Sequence, residues 1–112
     1  MVKTKAELES IAQHYMARLA EHHISVEKVI VIGSYGRGTP ADDSDIDLIF
    51  VSRDFDGHNL LQRQRILASC RPGLARTDVL GYSPSMLEKR REHSPLVQQI
   101  LSEGVALFPA AA

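Results

Sequence analysis

The chain has 112 residues and a mass of 12.4 kDa, room for one hydrophobic core and not for two, so a single domain over 1–112 is expected. Thirteen Lys and Arg against fourteen Asp and Glu leave a net charge of −1 and a pI near 6.5, which argues against the strongly basic surface of a protein that coats long nucleic acid. The lone cysteine, Cys70, allows no intrachain disulfide and no cysteine-based zinc site, and no apolar run resembles a signal peptide or a membrane span, so a cytoplasmic protein is expected.

In chain order, Thr4-Lys5-Ala6-Glu7 reads as a capping box, and Leu8, Ile11, Ala12, Tyr15, Met16 and Leu19 recur on one face of a helix expected over 5–22. Val29-Ile30-Val31-Ile32 is a β-branched run with apolar residues facing both ways, the pattern of a strand in a sheet covered on both sides. From Gly33 to Ser44 the composition turns to Gly, Pro, Ser, Thr and Asp, a loop with room for one helical turn. A second strand is expected over Asp45 to Val51, where alternation places Asp45 and Asp47 on one face and Ile46 and Leu48 in the core.

Leu60, Leu61, Ile66, Leu67 and Ala68 predict a helix over about 58–70, with Gln64 and Arg65 interrupting its apolar stripe. A third strand follows over 75–82. Ser83-Pro84 and Ser94-Pro95 each pair an N-cap with proline at the first helical position, so two short helices start there. Gly104 ends the second, and Val105 to Phe108 adds a final short strand. These elements make an α/β fold: a small mixed β-sheet of three to four strands with helices packed mainly on one face.

The chemistry concentrates around the first two strands. Carboxylates two apart on a strand share a face, so Asp45 and Asp47 converge on a site for hard divalent cations such as Mg²⁺, which take oxygen ligands and leave room for phosphate. Asp78 is the one acid of the third strand and the candidate third ligand. Two cations held together would stabilise both the attacking and the leaving oxygen of a nucleotidyl displacement, with pyrophosphate as the leaving group. Gly33 lets the backbone approach a phosphate, Ser34 adds a hydroxyl donor, and Arg37 supplies positive charge nearby.

Gly33-Ser34, ten intervening residues and then Asp45-Ile46-Asp47-Leu48 resemble the signature of the polymerase-β-like nucleotidyltransferase superfamily. The stretch from Ile32 to Phe50 and the ending Leu96-Val97 with Ile100-Leu101-Ser102-Glu103-Gly104-Val105 are similar to its minimal nucleotidyltransferase branch. Tyr35-Gly36 departs from that branch, where an arginine or other polar residue and then alanine are common. The resemblance implies the polymerase-β-like nucleotidyltransferase fold, Mg²⁺ as cofactor (two ions), and ATP as the nucleotide substrate. It implies Asp45, Asp47 and Asp78 as catalytic and metal residues, with Gly33, Ser34 and Arg37 at the nucleotide.

Larger relatives carry a second domain that holds the acceptor, and here the acceptor is expected to come from elsewhere. In the minimal branch the resemblance implies a separate all-helical HEPN-type ribonuclease toxin, neutralised by binding or by AMP transfer to a tyrosine. A non-catalytic antitoxin that covers its partner is the competing reading. A third, transfer to a small molecule such as an aminoglycoside, needs a homodimer or another partner to build the acceptor pocket.

Other motifs read as structural. Gly36-Arg37-Gly38-Thr39-Pro40-Ala41 matches a dinucleotide fingerprint in spelling, but no long helix follows it. His14, His22, His23, His58 and His93 lack metalloprotease spacing, and Asp42 and Asp43 read as a solvated loop. Arg63, Arg65 and Arg71 read as the solvated face of their helix, Lys89-Arg90-Arg91 as a solvated helix end, and Cys70 as a small buried apolar residue. Tyr35 is open between stacking on a base and shielding the loop.

Overall fold

A computed structural model describes residues 2–73 and 75–109. Helix α1 runs over Lys5–Glu21 behind the expected capping box, with Thr4 accepting from the Glu7 amide and Glu7 accepting from the Thr4 amide. These bonds hold the Glu7 carboxyl below its ordinary pKa. Strand β1 (Lys28–Ile32) passes directly into the one-turn helix α2 (Gly33–Arg37), and β2 (Ile46–Val51) follows the loop. A 3₁₀ turn over Arg53–Gly57 leads to α3 (Leu60–Ser69), which is capped reciprocally by Asn59 and Gln62. Then come β3 (Thr77–Tyr82), α4 (Pro84–His93), α5 (Pro95–Glu103) and β4 (Val105–Phe108). Ser83 and Ser94 cap α4 and α5, each with proline in the first turn, as their sequence predicts.

The four strands form one mixed sheet in the order β3-β2-β1-β4. β1 is antiparallel to β2 and β4, whereas β2 and β3 are parallel, so the chain must cross over through α3 to bring β3 alongside. Alternation in β1 and β2 divides the interior. Val29, Val31, Ile46, Leu48 and Phe50 face the larger core, with α1 and α3; Ile30, Ile49 and Val51 face a smaller cluster with Tyr82 and residues of α4 and α5.

Tyr15 is fully buried and stacks at a tilt on Phe50, ring centroids 5.1 Å apart, worth about 0.5–1.5 kcal/mol beyond area. Its hydroxyl meets Thr77 Oγ1 at 2.6 Å, which ties α1 to β3 and spares a buried hydroxyl the cost of going unpaired. Cys70 is buried as expected, and burial pushes its thiol pKa up. No helix among the described residues is long and apolar enough to cross a membrane.

Two readings of α3 need correcting. Leu60 and Leu61, used to mark its apolar stripe, are exposed. Arg63, expected on the solvated face, is buried: Nε donates to the Gly81 carbonyl and Nη1 to the His58 carbonyl, both at 2.8 Å. Its guanidinium, like that of Arg90, lies within 6 Å of the Tyr82 ring centroid, a cation–π arrangement. A guanidinium enters a packed position when carbonyls satisfy its N–H groups, and here one comes from the edge strand β3 and the other from the loop that precedes α3.

Candidate active site

The register of the parallel pair sets the site. Asp47 on β2 is level with Asp78 on β3, and in a parallel ladder level residues project to the same face. With Ile32, Leu48, Gln64, Val79 and Leu80 they line a cavity of about 270 Å³. Asp78 is exposed and Asp47 half-buried. Burial raises the Asp47 pKa, the negative charges of Asp78 and then Asp45 raise it further, and Arg37 opposes the rise.

Gly33 closes the other flank of Asp47. It has φ of +66°, the left-handed region that glycine occupies without steric cost. A β-carbon there would collide with Asp47 Oδ2, so the carboxylate sits in the space that a side chain would fill. Ser34 is half-buried in the first turn of α2. Gly36 answers a second close approach: a β-carbon would lie 2.8 Å from the Val31 carbonyl oxygen. Arg37 is exposed and faces Glu103 across 3.8 Å.

Asp45 departs from its expected placement. β2 begins at Ile46, one residue later than predicted, and Asp45 Oδ1 pairs with Arg76 Nε at 3.2 Å just ahead of the strand. Asp45 remains near enough to act on Asp47 electrostatically but does not line the Asp47–Asp78 cavity. Among the described residues no three His, Cys, Asp or Glu side chains are drawn into a ready cation cage. The donor chemistry still fits a hard divalent ion, because adjacent carboxylates offer only acceptor oxygens and Mg²⁺ commonly takes one or two from protein.

Residues 15–111 match the family model described as Polymerase beta, Nucleotidyltransferase. The chain belongs to this family. The nucleotidyltransferase fold is also shared with a protein of Sulfolobus solfataricus, solved as a crystal structure at 1.40 Å and assigned as a nucleotidyltransferase, at a TM-score of 0.54. The two are 22% identical, over 94% of this chain and 87% of that one. No curated protein matches the chain in sequence.

Two residues around this candidate site carry no signal in the sequence. Arg76 stands before β3 in a stretch with no motif, and only the parallel register brings it to Asp45. Gln64 looks like an interruption of a helical stripe until α3 is laid on β3. Tyr35 is partly resolved: its hydroxyl accepts from the Lys3 amide at 3.0 Å and its ring packs on the larger core, which is the shielding alternative.

Proposed function

We propose that this chain is a Mg²⁺-dependent nucleotidyltransferase that moves AMP from ATP onto a hydroxyl of a separate all-helical protein of the HEPN toxin type, thereby neutralising it. The observation that carries the reading is the level pairing of Asp47 and Asp78 beside Gly33. Asp45, Asp47 and Asp78 are the residues that would hold the cation, with Asp45 turning from Arg76 to do so. When bound, the ions supply charge stabilisation to both the attacking and the leaving oxygen. The choice of ATP and of the HEPN-type partner rests on the resemblance of the Gly33 to Phe50 stretch to the minimal branch.

In the transfer, the acceptor oxygen forms a bond to the α-phosphorus and the bond from that phosphorus to the bridging oxygen breaks. Pyrophosphate leaves with the electron pair, and the hydroxyl proton passes to Asp78. Ser34 and its neighbouring backbone N–H groups orient the phosphates by donating to them, and Arg37 adds positive charge.

A binding module with an idle nucleotidyl site is the second reading. It is favoured by the Asp45–Arg76 pair and by the lack of a ready three-acid group among the described residues. The two separate when the protein is incubated with labelled ATP, Mg²⁺ and a purified all-helical HEPN-type protein, and again as Asp45→Asn/Asp47→Asn. Label on the partner that disappears in the variant supports transfer. No label, with partner inhibition undiminished in the variant, leaves the binding module.

A further inference from the structure

Gln64 lines the cavity that holds Asp47 and Asp78. It reaches from α3 to β3, where Nε2 donates to the Val79 carbonyl at 3.4 Å. Its Oε1 is the one buried side-chain nitrogen or oxygen among the described residues with no hydrogen-bond partner. Buried acceptors left unpaired are costly and rare in folded proteins, and this one borders the chemistry proposed above.

The available donors narrow its partner. Phosphate and carboxylate oxygens are acceptors, so an ionised triphosphate offers Oε1 nothing. The sheet order β3-β2-β1 also separates the two flanks of Asp47: Gly33 and Ser34 follow β1 on one side, and Asp78 and Gln64 belong to the β3 side. A hydroxyl whose single proton goes to Asp78 has none left for Gln64. The remaining donors are the ribose hydroxyls of the nucleotide and a second group of the acceptor, and the position of Gln64 on the β3 side, away from Gly33 and Ser34, favours the acceptor.

We propose that Gln64 is the residue that selects the acceptor, its Oε1 accepting a hydrogen bond from a hydroxyl or N–H adjacent to the attacking hydroxyl. The inference rests on the nucleotidyl transfer reading. Molecules with two neighbouring hydroxyls, or a hydroxyl beside an amide N–H, meet the requirement; a simple monoalcohol does not.

The test compares the wild type with Gln64→Met, which keeps the length of the side chain and removes the acceptor together with the weak donor to Val79. Each is given Mg²⁺, labelled ATP and either ethylene glycol or ethanol as the acceptor probe, and ATP affinity and thermal midpoint are measured alongside. The wild type is expected to label the glycol on the order of tenfold better than ethanol, the equivalent of one hydrogen bond. Gln64→Met is expected to lose that preference, keep its ATP affinity, and shift its thermal midpoint by less than about 4 °C, because the unpaired acceptor and the long 3.4 Å bond to the Val79 carbonyl are removed together.

A wild type that does not favour the glycol overturns the assignment. Weaker ATP binding in Gln64→Met also overturns it, by giving the amide to the ribose of the nucleotide. So does a midpoint lowered by about 4 °C or more with the preference intact, which makes Gln64 a brace on β3. These results leave the nucleotidyl reading standing, whereas a wild type that binds no ATP with Mg²⁺ sinks both.

Discussion

The β-carbon that Gly33 lacks would occupy the space held by the Asp47 carboxylate. The backbone at Gly33 is left-handed as well, so the position demands glycine for two independent reasons. One acts through the local backbone and the other through the neighbouring strand.

Gly33→Ala is therefore expected to lower stability by about 1–2 kcal/mol from the backbone term alone, with the displaced Asp47 adding to it. Urea unfolding reads the first effect and ATP binding in Mg²⁺ the second. A variant as stable as the wild type, with unchanged ATP affinity, would contradict the described packing.

Arg76→Gln separates a structural ion pair from a competitor for the cation. Both partners of the Arg76–Asp45 pair are substantially exposed, 70% and 43%, so its loss is expected to change stability by less than about 1 kcal/mol. If Asp45 is a ligand, freeing it from the guanidinium strengthens Mn²⁺ binding several-fold, read by the free-ion signal in electron paramagnetic resonance. Unchanged Mn²⁺ affinity would remove Asp45 from the ligand set.

Arg63→Ala tests the brace between α3 and β3. It removes two charge-assisted hydrogen bonds and leaves the Gly81 and His58 carbonyls short of a donor, a loss of about 3 kcal/mol in urea unfolding. Arg63→Lys is expected to recover only part, because an ammonium does not reproduce the forked donor geometry. A change under about 0.5 kcal/mol in Arg63→Ala, the range of an ordinary surface site, would return Arg63 to the solvated face.

At the start of α1, Thr4→Ala should cost about 1 kcal/mol, as losses of an N-cap do. The Glu7 carboxyl is held below its ordinary pKa, chiefly by the bond from the Thr4 amide and then by the Thr4 hydroxyl. A pKa lower in the folded than in the unfolded chain means that the native state binds fewer protons between the two values. The contribution is thus present above the ordinary glutamate pKa and lost as the pH falls through the depressed one. Stability measured from pH 6 down to pH 3 should fall less steeply in Glu7→Gln; identical slopes would deny the cap an electrostatic part.

Much of the fold was legible because its signals are local. The Thr4–Glu7 box, the two Ser-Pro caps and the β-branched run of β1 depend on neighbours a few residues away, and each sits where the sequence places it. Asp47 was legible through the alternation of β2, and its meeting with Asp78 through the choice of the one acid on the third strand. Arg63, Arg76 and Gln64 were not, because each is defined by what β3 brings to it. A charged residue on a helix is ordinarily solvated, and nothing local to Arg63 announces the carbonyls of Gly81 and His58.

The crossover that makes β2 and β3 parallel has a further consequence in time. The β1–β2 hairpin closes over a short stretch and carries Gly33, Asp45 and Asp47 with it, whereas Asp78 joins only after α3 has folded back and β3 has docked. Contacts between distant segments form late because the loop must be ordered before they return any stabilisation. A chain still emerging from the ribosome thus holds only part of its acidic set until β3 has docked, and β4, which pairs with β1, joins the sheet later still.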